Sequence, residues 1–395
     1  MENGVCDNGV CSSESVNGGQ DVWSSKESDS LSADHLVVMV NGIMGSSTDW
    51  RYAAEQFVKR LPDKIFVHCS ERNVSKLTLD GVDVMGDRLA EEVLEVIQRK
   101  PNLQKISFVA HSVGGLVARY AIGKLYRPAE TKKLEASSTN GQPQESSGTI
   151  GGLEPVNFVT VATPHLGSRG NKQVPFLFGL AAIEKLASLI IHWILRRTGE
   201  HLFMTDDDGG KPPLVQRMIE DQGEYYFMSA LMSFKRRVVY SNVDYDRILF
   251  YSFAASLANI IFKVDRYSNY SFLFSLTRTC KDFVGWRTSS IRRISELPKW
   301  EDAVNEKYPH VVYEESCKGT NSETSEPTST EVSYPERLEE ELVTGLSRLS
   351  WEKVDVCFHK SRHRLAAHSI IQVKDHTAHI EGADVINHII DHFQT

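Results

Sequence analysis

Ser112 stands at the centre of Ala110-His111-Ser112-Val113-Gly114, a serine with small residues two positions before and two after it. That spacing is the nucleophile elbow, in which a tight strand-to-helix turn presents the hydroxyl and small flanks let strand and helix close on each other. Alanine takes the first flank, so the pattern is the A-x-S-x-G form. A serine hydroxyl is a poor nucleophile near neutral pH; it needs an imidazole base, itself oriented by a carboxylate. In hydrolases built on this elbow the acid and then the histidine follow the serine along the chain. Asp244 and Asp246 are the candidate acids, and His363, His368, His376 and His379 the candidate bases. Residue type and order leave both choices open. An oxyanion hole also needs two backbone N–H groups. One is expected from Val113, after the nucleophile, and the other from Asn41-Gly42-Ile43-Met44-Gly45, with Ile43 the first choice and Met44 the second. No Gly-Lys-Ser/Thr follows this loop, which argues against a phosphate cradle.

These residues need a sheet to stand on. Residues 105–110 read as a buried strand and 113–125 carry apolar residues at helical spacing, the setting an elbow requires. Upstream, 35–40 and 65–69 are apolar strand runs, with helices expected up to Leu61 and from about Val84 to Arg99. This alternation with short connections predicts an α/β fold, a mostly parallel central sheet with helices on both faces. Later strands are expected at 156–162, 237–243 and 354–358, and a last helix at 382–393. Asp244 and Asp246 then follow the carboxyl end of a strand, where the catalytic groups of open α/β sheets gather.

Residues 1–33, rich in Ser, Asn, Gly and acidic side chains without periodicity, are expected to be a disordered tail before a single domain at 34–395. Within that domain 133–154 reads as a loose surface insertion, 170–233 as a lid region and 314–334 as a flexible polar linker. Residues 176–195 are nearly all apolar and approach the length of a bilayer span, but Glu184-Lys185 near the centre favours an amphipathic lid. A net charge of −8 argues against a nucleic-acid partner. The cysteines at 6, 11, 69, 280, 317 and 357 are scattered, so reduced thiols and a cytoplasmic location are expected. The N-terminus lacks the basic start and apolar core of a secretory signal. There is no C-x-x-C metal spacing, and no metal or cofactor is expected.

Four ordered motifs carry a resemblance. Val40-Asn41-Gly42-Ile43-Met44-Gly45-Ser46 with Asp49-Trp50, the run from Ala110 to Tyr120, Ala162-Thr163-Pro164-His165-Leu166-Gly167, and the run from Tyr240 to Asp246 together resemble the putative serine esterase family of lipase-like α/β-hydrolases, with the nearest likeness to its plant members. The resemblance implies an α/β-hydrolase fold with a helical lid insertion. It also implies an acyl-enzyme serine hydrolase acting on carboxylic esters, with lipid acyl esters as the expected substrate. Contact with membranes or lipid droplets at their surface goes with such a substrate. The family's aspartate motif points to Asp246, and its Ala-His-Ser/Asn segment matches Ala367-His368-Ser369, which makes His368 the base. His165 then belongs to a structural turn. Asn41 departs from the histidine that many lipases carry before the glycine, a change expected to alter how the oxyanion loop is braced.

A larger departure follows the acid. The family's aspartate segment runs straight into Gly-Trp-Arg-Thr-Ser-Ser, but here Asp246-Arg247-Ile248 and Val284-Gly285-Trp286 are separated by residues 249–283. That aromatic-rich segment has no clean period and the composition of T-rich codons, so it reads as intron retained in frame; a lipid-facing insertion is the competing expectation. An insertion so near the acid also sets up the alternative function, a catalytically impaired module that binds a lipid or a partner.

Overall fold

The computed structural model describes residues 5–15, 18–25, 33–129, 148–168, 195–206, 209–243, 284–300, 306–319 and 334–395. Its strands are β1 (Val5–Asp7), β2 (Val10–Glu14), β3 (Gln20–Ser24), β4 (His35–Val40), β5 (Ile65–Cys69), β6 (Lys105–His111), β7 (Tyr126–Arg127), β8 (Thr149–Ile150), β9 (Glu154–Val161), β10 (Arg236–Asn242), β11 (Val311–Cys317) and β12 (Trp351–Val356). The α-helices are α1 (Arg51–Arg60), α2 (Val82–Arg99), α3 (Gly114–Leu125), α4 (Leu214–Arg217), α5 (Phe227–Ser233), α6 (Trp286–Ser290), α7 (Tyr334–Leu346), α8 (Ala367–Ile370) and α9 (Ala383–Asp391). Residues 195–203 are also helical.

Ten strands form one sheet in the order β1-β2-β3-β5-β4-β6-β9-β10-β12-β11. The six from β5 to β12 in that order pair in parallel, and the flanking pairs are antiparallel. Strands sandwiched between helices are apolar on both faces, which is why β4 reads as an unbroken apolar run. Leu36, Val38 and Val40 meet α2 and α3 on one face, while Val37 and Met39 meet α1 and α9 on the other. This is the α/β-hydrolase arrangement that the motifs imply.

Several expectations change. The segment expected to be a disordered tail supplies β1, β2 and β3, which extend the sheet past β5. Asn8 and Gly9, both at positive φ, turn β1 back onto β2, and Trp23 of β3 stacks on Phe66 of β5. The turn sets Cys6 opposite Cys11, and the two form a disulfide rather than reduced thiols. Local composition hid these strands because they are short and their anchors come from distant chain. At the other end of the lid region, α5 packs on α3 inside the core. Phe227 fills the space left by Gly123, where a Cβ would come within 2.5 Å of its ring. Most of the apolar lid run, residues 176–194, and all of 249–283 lie outside the described residues. The end of the expected surface insertion at 133–154 pairs as β8 with β7, and β11 continues through Cys317 into the expected polar linker.

Candidate active site

At the end of β6 the backbone of Ser112 turns to φ +56°, a left-handed conformation costly for a residue with a Cβ. The Ser112 N–H donates to the Val161 carbonyl at 2.9 Å, and the Gly115 N–H returns to the Ser112 carbonyl at 3.1 Å. Two glycines make this turn possible. A Cβ on Gly114 would lie 2.4 Å from the Asn41 carbonyl oxygen, and one on Gly115 would lie 2.2 Å from Thr163 Oγ1. Strand, helix and neighbouring loop therefore meet at backbone distance around the serine.

The loop after β4 lies against the same turn, since a Cβ on Gly42 would be 2.7 Å from the Ser112 Cβ. Asn41 braces it: Nδ2 donates to the Gly42 carbonyl at 3.1 Å and to the Asn73 carbonyl at 3.0 Å. Asn73 in turn donates to the Met85 carbonyl of α2 at 2.8 Å. Met44 also adopts a positive φ, and its N–H is taken by Thr78 Oγ1 at 2.9 Å. Among the described residues no acceptor takes the N–H of Ile43 or of Val113. Of the two candidate donors in this loop, Ile43 is the one left uncommitted. Asn73 and Thr78 had no signal in the sequence, because their role depends on where the chain after β5 returns.

Of the four candidate histidines, His368 on α8 is buried and lies beside the elbow. Its ring is 4.5 Å from that of His111, and its backbone carbonyl accepts from His111 Nε2 at 2.7 Å. Burial, helped by the charge of His368, holds the His111 pKa well below the ordinary range, so His111 is neutral and donates through Nε2. His363 and His376 are exposed. Half-buried His379 accepts the Asp375 N–H at 3.1 Å through Nδ1. His165 is buried with Nε2 2.8 Å from Thr160 Oγ1, and burial lowers its pKa too, as befits a structural turn.

Asp244 and Asp246 lie outside the described residues. The chain approaches them from β10, with the Val243 N–H donated to Val356 at 2.9 Å on the adjacent strand. Another buried carboxylate, Asp355 of β12, is already committed. It accepts from Arg292 Nη1 at 2.8 and 3.0 Å and from Trp300 Nε1 at 2.9 Å, while burial raises its pKa. This pair ties α6 and the chain after it to the sheet.

Residues 30–257 match the family model described as "Putative serine esterase (DUF676)". The chain is 31% identical over 229 residues to "Putative lipase ROG1" of Saccharomyces cerevisiae, covering 54% of this chain and 27% of that protein. It is 28% identical over 242 residues to "Putative lipase C4A8.10" of Schizosaccharomyces pombe, covering 58% and 27%. The chain thus spans about a quarter of the length of these curated relatives. Among solved structures, the mature Bacillus licheniformis lipase BlEst2 aligns at 15% identity with a TM-score of 0.32, covering 59% of this chain and 75% of that one. The family match covers more than half of the chain and takes in the elbow, the Asn41 loop and β10, so the chain belongs to the putative serine esterase family.

Proposed function

We propose that the chain hydrolyses carboxylic esters, with lipid acyl esters as substrates, through Ser112, His368 and Asp246. The observation that carries this reading is the left-handed Ser112 turn with His368 packed against the residue before it. Ser112 Oγ attacks the ester carbonyl as its proton passes to His368. The N–H groups of Val113 and Ile43 hold the oxyanion, and loss of one such donor typically costs roughly 3–4 kcal/mol of transition-state stabilisation. His368 returns the proton to the leaving alcohol, and water, activated the same way, releases the acid from the acyl-enzyme. Asp246 orients His368 by chain order and by the family's motif. The likeness to plant members rests on those motifs alone.

The apolar run at 176–195 and the lipase names of the relatives favour a lipid acyl chain over a small soluble ester. A fluorophosphonate probe is expected to label the chain and to fail on Ser112→Ala; equal labelling of the variant overturns the reading. Absence of labelling in the parent favours a binding module instead. Turnover is expected to rise when an ester substrate passes from monomers to micelles, and a flat response counts against the lipid preference.

A further inference from the structure

Three loops leave the carboxyl ends of parallel strands on the edge of the sheet that carries Ser112: 41–46 after β4, 70–81 after β5 and 357–366 after β12. Each puts a large apolar side chain into solvent, Met44 at 44%, Leu77 at 41% and Leu365 at 46% exposure. Beside them stand exposed cations, Lys76 next to Leu77, and Lys360, Arg362 and Arg364 next to Leu365. The acids nearby are occupied: Asp80 pairs with Arg88 at 2.7 Å, Asp49 with Lys374 at 3.0 Å, and Glu71 accepts the Ser47 N–H at 2.5 Å. Asp375 is turned onto Thr377 and Ala378 of its own loop. Lys76 and Arg362 make no ion pair among the described residues. In a chain of net charge −8, a rim that sets exposed cations beside exposed apolar side chains is a local reversal of sign.

We infer that this rim docks the chain on an anionic lipid surface, with Lys76 and Arg362 against headgroups and Met44, Leu77 and Leu365 in the acyl boundary. The inference rests on the lipid-ester reading, because it would bring the His368 side of the site, three residues beyond Leu365, to the substrate phase. A basic side chain near an anionic surface contributes about 1 kcal/mol of attraction, which is about fivefold in partition. Interfacial segments commonly pair such charge with apolar residues that enter the boundary. An acidic protein partner would match the charge but would give three separate apolar side chains on different loops no common phase to enter.

The test uses the full chain carrying Ser112→Ala, so that hydrolysis does not consume the lipid. It compares vesicles of phosphatidylcholine alone with vesicles in which roughly a third of the lipid is phosphatidylserine. Partition is expected on the anionic vesicles, weakening with salt. Lys76→Ala and Arg362→Ala are each expected to lower it about fivefold and together about twenty-five-fold, while Lys76→Arg and Arg362→Lys keep it. Equal partition on both vesicles, no partition, or a double variant that binds like its parent overturns the proposal. The same double variant with Ser112 intact is expected to label with the fluorophosphonate as the parent does, which reports its fold. Vesicle binding without any labelling would overturn the hydrolase reading and leave the surface standing.

Discussion

Beside Ser112, the buried rings of His111 and His368 lie 4.5 Å apart, and His111 Nε2 donates to a backbone carbonyl. At the N-terminal edge of the sheet another buried histidine, His68, lies between two carboxylates, 2.6 Å from Asp21 through Nδ1 and 3.1 Å from Glu92 through Nε2. Arg99 closes the second Asp21 oxygen at 3.1 Å, and Ser70 donates to Glu92 at 2.5 Å. Burial alone would lower the His68 pKa, but its hydrogen bonds to Asp21 and Glu92 outweigh that and hold it at about 9. One region keeps the buried His111 imidazole neutral and bonded to a backbone carbonyl, beside the histidine proposed as the base. The other fixes a charge to pin a hairpin that must stay. The proposed chemistry should therefore be separable from the stability of the fold.

The largest expected effect is on the site side. His368→Ala should lower kcat on an ester by roughly a factor of a million, the scale seen when one member of a catalytic triad is removed. The melting temperature should change little, because the bond from His111 is to the backbone carbonyl of residue 368 and survives the substitution. A variant that melts far below the parent and retains turnover would reverse the assignment.

Asp21→Ala is the counterpart on the hairpin side. It leaves His68 and Arg99 without a shared buried acceptor, and breaking a buried ion pair costs about 3–5 kcal/mol. Urea unfolding should show that loss, while kcat per folded molecule stays at the parent value. A fall in kcat at full folding would mean that the hairpin reaches the site, through Glu92 and the Glu71–Ser47 contact.

The same contrast separates what was legible in the sequence from what was not. The elbow, the glycine loop and the parallel strands could be read locally, because a continuous apolar run and a few small residues carry them. The hairpin could not, because Asp21 is paired with His68 across 47 residues and its strands are short and half polar. The Arg292–Asp355 pair spans 63 residues and was equally silent. His368 was one of four histidines by order alone, and the family motif favoured it; burial and the His111 contact separate it from the exposed His363 and His376. Part of the region expected to be a lid proved to be core, since an apolar stretch does not say which surface it will cover.

A smaller effect follows from pH, with opposite signs in the two regions. The His68 pKa is raised in the fold, so the stability it contributes is complete below about 6.5 and is lost as pH rises through about 9. Burial lowers the His111 pKa, so its contribution is present above the ordinary histidine value and is lost as pH falls below it. Hydrogen exchange should therefore show β2 and β3 loosening first on the alkaline side, and the segment around α8 loosening first on the acid side. Loosening of both regions on the same side would remove the distinction.

The smallest effect is expected at the Cys6–Cys11 disulfide. It closes a loop of only five residues in sequence separation, and β1, the strand it holds, is exposed along its whole length at the outer edge of the sheet. Loop-closure entropy for so short a ring is on the order of 2 kcal/mol in the unfolded chain. Much of that is recovered if β1 alone frays, since all three of its own residues are exposed. Cys6→Ser should therefore erase exchange protection at residues 5–7 while β2 and β3 keep theirs, with a small change in melting temperature. If β2 and β3 lose protection as well, the disulfide and not the Asp21–His68–Glu92 cluster holds the hairpin, and the fixed charge at that edge needs another purpose.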